Sequence, residues 1–448
     1  MNLLQNALNK NTATLYFDIF AGMITPEESI APKLTGRYAI LFYLLFGVIY
    51  IGIVGQKEGD FLIYLSASKD LFLHKDIYNT GYIDGYRYYY SLLFAILIYP
   101  LSFIPFVAAK YIWITANALL LWKTVTLIGS YFKLQNLPPK KQWLFVIFSC
   151  AFSANFALSN IYHQQITILV LFLALKGLEY IFSGKSLQGA LMLALGINIK
   201  LLPLVLLPYL IYRRKFAAVL YTVPIYIILL LLPALAIGLQ ENNLLLAGWW
   251  HLVNPGNREH ILDVSQHGFI SLTSLLSSLL VNVPVDKYEL HTRRNIANLD
   301  LATLSLVINM VRLLFIAFTL YFLRTRPFFG KITRTHRFWE ISYVLLITPL
   351  LFPHQQAYSF FFAMPAMVWI FFYYFTSYST MQRNKRNLMT AMLAFSFLTV
   401  NASFLLGEYN PWYEHYKIVA YGALALVPLL AMSVPDFSPD GKGNSGIT

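Results

Sequence analysis

Residues 213–238 read RRKFAAVLYTVPIYIILLLLPALAIG. Three cations, Arg213, Arg214 and Lys215, are followed by an apolar run from Phe216 to Gly238 without a charge. A helix needs about 20 apolar residues to cross a bilayer, so this run is long enough to span, and the basic triplet marks its cytoplasmic end.

The same pattern recurs outward in both directions. Apolar runs lie near residues 37–55, 109–131, 143–160, 165–182, 301–323, 338–352, 357–377, 388–406 and 415–432. Residues 187–212 are apolar but interrupted near Lys200, Pro203 and Pro208, which predicts two short helices running up and back. At about 1.5 Å per residue each half covers roughly 20 Å, so their junction falls below the membrane surface. Stretches 91–106 and 268–282 are short or polar-flanked and are expected to be re-entrant or interfacial. With the N-terminus inside, the clusters Lys133/Lys140/Lys141, Lys185, Arg213–Lys215, Arg324–Arg337 and Arg383–Arg386 all fall on the cytoplasmic side. A full crossing at 91–106 would invert everything after it. The expectation is therefore an all-α polytopic membrane protein with about twelve spans plus partial ones. It has a cytoplasmic segment 1–36, a membrane domain 37–432 and a flexible cytoplasmic tail 433–448.

Composition agrees. Of 448 residues, 58% are hydrophobic and 12% charged, with mean hydropathy +0.59. Soluble domains carry about twice that charge. The net charge of +13 sits in short clusters between apolar runs, which excludes a nucleic-acid face. The one cysteine, Cys150, allows no internal disulfide and reads as a small buried apolar residue. Residues 1–36 show no basic segment followed by an apolar core, so targeting is expected to fall to the first span.

Polar residues collect in the outer turns. The first loop, 56–90, holds Gly59-Asp60-Phe61, Tyr64, Asp76, Tyr78, Arg87, Tyr88, Tyr89 and Tyr90. A carboxylate at Asp60, just past the first span, suits proton removal from a hydroxyl; a solvated acid at a helix end is the plainer alternative. The next turn carries Asn160, His163, Gln164 and Gln165, and the break in the hairpin carries Asn198 and Lys200. A lysine within an apolar hairpin is costly and matches a phosphate, against the alternative of a side chain snorkelling to the interface. Loop 239–300 offers Trp249, Trp250, His251, Asn254, Asn257, Gln266 and His267, suited either to sugar stacking or to an aromatic belt. The turn Pro353-His354-Gln355-Gln356 places an imidazole that could serve a phosphate or cap a helix. These turns share one side under a single orientation. No metal-ligand spacing is present.

The residues resemble a family. Asp60-Phe61, Tyr64, Ala67, Asp76-Ile77-Tyr78, Tyr88 and Leu92-Leu93-Phe94 with Pro100-Leu101 and Pro105 are similar to the first loop of glycosyltransferase family 87. Gln165, Gly189, Gly196 and Lys200-Leu201-Leu202-Pro203 are similar to its middle section, and His354 with Tyr358 to its late histidine turn. The likeness runs over about residues 55–370. It departs at Tyr89 and Tyr90, where prolines are usual, at Gln164 and Thr167, where Gly and Asn are common, and at His74, where Gly is common.

The resemblance implies a GT-C fold and a polyprenyl-phosphate-mannose-dependent mannosyltransferase of a bacterial inner membrane. Its active site would be extracytoplasmic, acting by inversion with Asp60 as base. Lys200 would bind the donor phosphate and His354 would assist. Gln165, Asn198, Tyr88 and, more loosely, His163, Arg87, Gln266 and His267 would orient donor and sugar. No cofactor or metal is required. The partners implied are a lipid-linked sugar, a glycan or glycolipid acceptor, and lipid. The rivals are an oligosaccharide polymerase or ligase, which usually places its large loop late, and a secondary transporter, which needs intramembrane acids or paired halves.

Overall fold

A computed structural model describes residues 47–254, 257, 268–282, 290, 292–323 and 332–435. Gln266 and His267 lie outside the described residues, as do segment 1–36 and most of the tail. The described chain is all-helical, with no strand.

Residues 47–54 are helical and lead into α1 (Asp60–Phe72), so much of the expected first loop is helix. The stretch 91–106 becomes a short helix, α2 (Leu92–Ile98), and a 3-10 turn, Tyr99–Phe103, with the helix-breaking Pro100 as its second residue. Then follow α3 (Phe106–Gly129), α4 (Pro139–Tyr162), α5 (Thr167–Phe182) and α6 (Ser186–Ile199). The hairpin's return half is a 3-10 turn, Leu202–Val205, and α7 (Leu206–Tyr212). Next come α8 (Phe216–Leu231), α9 (Leu239–Val253) and α10 (Leu272–Leu280). The chain closes with α11 (Leu301–Leu323), α12 (Arg334–Leu351), α13 (Met364–Ser377), α14 (Arg383–Asn401) and α15 (Ile418–Met432). The aromatics Trp249 and Trp250, expected in a loop, lie on α9.

Among the described residues five helical stretches are long and apolar enough to cross a membrane. They are Phe106–Gly129, Pro139–Tyr162, Phe216–Ile237, Leu301–Leu323 and Ala357–Ser377. A sixth results if Gly407–His415 and Ile418–Met432, bent by 66°, form one span. This falls short of the expected twelve because several apolar runs fold as helices too short to cross alone. α5 has 16 residues and α6 has 14.

The helices alternate between two ends of a bundle. One end is basic. There Arg334 donates to Ser130 at the end of α3, and Lys141 near the start of α4 donates to the Phe375 carbonyl near the end of α13. Arg337 lies over the Phe182 ring at the end of α5. Arg213 after α7 pairs with Glu340 on α12, and the Tyr209 hydroxyl donates to the same carboxylate at 2.9 Å. At the opposite end lie Asp60, the α4–α5 turn, Lys200 and Ala357–Ala363, tied together by the bonds described next. The α5–α6 hairpin joins the two ends. Its helices meet at two glycines, and a Cβ on Gly189 would lie 2.5 Å from the Gly177 carbonyl oxygen.

Candidate active site

The site begins at a helix end. α4 closes with the N–H of Gln165 donating to Asn160 O and that of Gln164 to Ile161 O, a Schellman closure that needs its penultimate residue left-handed. Gln164 takes that conformation at φ 56°. The Trp113 indole donates to the Gln164 carbonyl at 2.7 Å, and the Gln164 amide donates to Lys57 O at 3.1 Å. α1 starts against this turn, where the Asp60 backbone N–H donates to His163 O at 3.0 Å. The approach requires Gly59, since a Cβ there would stand 2.9 Å from the Gln164 side chain.

With both turns fixed, the Gln165 amide meets the Asp60 carboxylate and donates to its Oδ2. Gln165 is fully buried, and its Oε1 faces the hydroxyls of Tyr64 at 3.2 Å and Tyr90 at 2.9 Å. Those two hydroxyls are 3.0 Å apart.

Lys200 reaches the same place from the hairpin. α6 stops at Ile199 and Lys200 is extended at φ −149°, ψ 125°. Pro203 keeps the helix from continuing. The ammonium donates to Thr167 Oγ1 and to Ser359 Oγ, each at 3.3 Å, and lies 5.0 Å from the Tyr358 ring centroid. No carboxylate salt-bridges it among the described residues, but its charge acts on Asp60. Asp60 and Lys200 both keep some accessible surface. Enclosure by protein nevertheless pushes the Asp60 carboxyl up from 3.8 to about 6, against the Gln165 hydrogen bond and the Lys200 charge, which lower it.

The other expected site residues sort differently. His354 sits left-handed at φ 55°, its ring 6.0 Å from that of Tyr89 and 5.4 Å from that of Phe269. His163 is exposed, 6.2 Å from the Tyr358 ring, and it is its carbonyl that meets Asp60. Arg87 is exposed on its loop. Asn198 and Tyr88 are wholly buried and serve packing: Ser91 Oγ donates to Asn198 Oδ1 at 2.7 Å, and the Tyr88 hydroxyl to Ser91 O at 2.9 Å. These bonds fix the start of α2. Tyr64, Tyr90, Thr167 and Ser359 were not singled out as site residues. Among the described residues no group of three or more His, Cys, Asp or Glu side chains converges.

The profile of glycosyltransferase family 87 matches residues 88–333, more than half of the chain. The chain belongs to glycosyltransferase family 87. Among curated proteins, none matches it. The family 87 segment contains Tyr90, Gln165, Thr167 and Lys200. Asp60, Tyr64, Ser359 and His354 lie outside it and join the site through the contacts above. The chain is thus a glycosyltransferase with apolar membrane helices, as a GT-C enzyme is.

Proposed function

We propose that this glycosyltransferase moves a hexose, mannose being the first candidate, from a polyprenyl phosphate to a hydroxyl of a glycan or glycolipid, with inversion at the anomeric carbon. One observation carries the reading: a carboxylate held by an amide and a lysine held by two hydroxyls, from separate stretches, converge at the end of the bundle opposite the basic residues. By the positive-inside rule the basic end is cytoplasmic, so the site faces outward. A nucleotide sugar is made in the cytoplasm and does not cross lipid; a lipid phosphate is already in the bilayer. The reading places the protein in a bacterial inner membrane with both termini inside. It counts the short helices as partial or paired crossings toward a total near twelve.

In the step proposed, the acceptor hydroxyl gives its proton to Asp60 as its oxygen bonds to the anomeric carbon. The bond from that carbon to the phosphate oxygen breaks on the opposite face. Polyprenyl phosphate leaves with the electron pair, its charge met by Lys200. With Lys200 as the cation the step calls for no metal. His354, beside Tyr89, stands where it would meet the outer part of the donor phosphate.

The test is transfer from radiolabelled polyprenyl-phosphate mannose to candidate acceptors by purified protein in lipid. Wild type should transfer and Asp60→Asn should lose transfer by at least about a thousandfold while still binding donor. Equal turnover by the two proteins removes Asp60 from the step. Unchanged donor affinity in Lys200→Ala removes the lysine from phosphate binding.

A further inference from the structure

The Gln165 side chain has two faces, and the neighbours decide which is which. Its Oε1 stands within hydrogen-bond reach of two hydroxyls, Tyr64 and Tyr90, which also face each other. Neither hydroxyl has any other acceptor among the described residues. Two protons are therefore shared among three acceptor positions: Oε1 and the two phenol oxygens. The hydroxyls cannot each donate to the other, so at least one proton always points at Oε1. A flipped amide would turn its NH2 toward those protons and its carbonyl toward the Asp60 carboxylate, opposing donor to donor and acceptor to acceptor. All three side chains are buried, Gln165 at 0%, Tyr64 at 1% and Tyr90 at 6% exposure, so water cannot relieve the mismatch.

The geometry points to Tyr64 and Tyr90 as redundant positioning residues for the Asp60 base: either hydroxyl suffices to lock the Gln165 amide so that its N–H donates to Asp60 Oδ2. This rests on the reading of Asp60 as the base. The lock holds Asp60 in its carboxylate form and leaves Oδ1 for the incoming hydroxyl.

The groups that face Asp60 are known. Gln165 comes from the start of α5, Lys200 from the hairpin break, and Tyr64 and Tyr90 stand behind the amide. Tyr358 lies within electrostatic reach. Lys57 is turned away to the Tyr162 hydroxyl at 2.8 Å, and the Lys110 ammonium donates to Lys57 O at 3.2 Å.

The experiment compares wild type, Tyr64→Phe, Tyr90→Phe and the double variant by infrared titration of the Asp60 carboxyl, each taken as a difference against its Asp60→Asn counterpart. This reads Asp60 whether or not the transfer reaction is the one proposed, so failure here and failure of the transfer assay are separate results. The expected wild-type midpoint is about 6. With both donors gone the amide is free to turn as Asp60 takes up its proton, its carbonyl then accepting from the carboxyl O–H; the protonated form gains a bond that the lock denies it, and the midpoint should rise by about one unit, tenfold in the ionisation constant. Each single change should move it by only a minor part of that, because one donor remains. The acid limb of transfer should move in parallel. A double variant that titrates with wild type overturns the inference, and so do two single variants that each show the full shift. A purely packing role would lower turnover with the midpoint in place. Should the double variant not fold, the single variants decide the redundancy, since a full one-unit rise in either overturns it, and Gln165→Leu checks the bond on which the lock acts: its midpoint should rise, and an unmoved midpoint overturns the inference.

Discussion

At Asp60 two effects oppose each other. Enclosure disfavours the charge, while the Gln165 amide and the Lys200 ammonium favour it, and the balance leaves the carboxyl at about 6. That suits a general base working near neutrality. Transfer should therefore fall as pH drops through about 6, as a pH series of kcat/KM will show. The stability sign is opposite. The folded carboxyl binds its proton more tightly than the unfolded one, so stability is lost as pH rises from 3.8 through about 6. Asp60→Asn should consequently melt higher than wild type at neutral pH while losing transfer, the exchange of stability for activity expected of a functional acid. Asp60 and Gln165 stand in polar turns at the edges of apolar runs and were marked out by the family resemblance, whereas Lys200 was legible in the sequence because it is a charge within an apolar stretch. Tyr64 and Tyr90 were not. In a loop with Tyr78, Tyr82, Tyr86, Tyr88 and Tyr89, nothing in spacing separates a tyrosine that donates to Gln165 from one that fills the core. Asn198, two residues before Lys200 and still in α6, accepts from Ser91 at the start of α2.

Among the elements, the α5–α6 hairpin does most to place Lys200, and the contact of Gly177 with Gly189 decides how closely its helices run. A side chain at 189 would meet the Gly177 carbonyl and the Ile181 Cγ1, both at 2.5 Å. Gly189→Val should cost at least about 1–3 kcal/mol and carry Lys200 away from Thr167. In the same helix Gly196→Ala should be nearly neutral, since its Cβ finds its nearest neighbour at 3.5 Å. Thermal unfolding of the purified protein separates the two, and equal melting temperatures would refute the close contact. Element type was readable in the apolar runs between basic clusters but not at α1 and α9, which fall in stretches read as loops, and the partial stretches 91–106 and 268–282 do fold as short helices. Crossing number was not readable, because an apolar run gives its composition but not the point where a proline or a turn ends the helix. Two left-handed positions show the same limit. His74 and Gln164 close helices in the left-handed conformation a glycine takes most readily, and nothing in their side chains announces it.

Across the whole molecule the arginines of α12 and the α7–α8 turn gather at one end, while Lys57 and Lys110 stand beside the site at the other. The basic end gathers Arg334, Arg337 and the buried Arg213–Glu340 pair, with His336 3.3 Å from the same carboxylate. A buried charge pair of this kind is costly to break and fixes the hairpin's return helix against α12. The opposite end holds Asp60, Gln165 and Lys200. The account stands on those two ends facing different compartments. Its most direct test is labelling with a membrane-impermeant maleimide in intact cells, in a Cys150→Ser background, at exposed positions beside each end: Glu58→Cys near Asp60 and Lys185→Cys at the basic end. Position 58 should label from outside and position 185 only after the cells are opened; labelling of 185 from outside, with 58 protected until opening, would contradict the account.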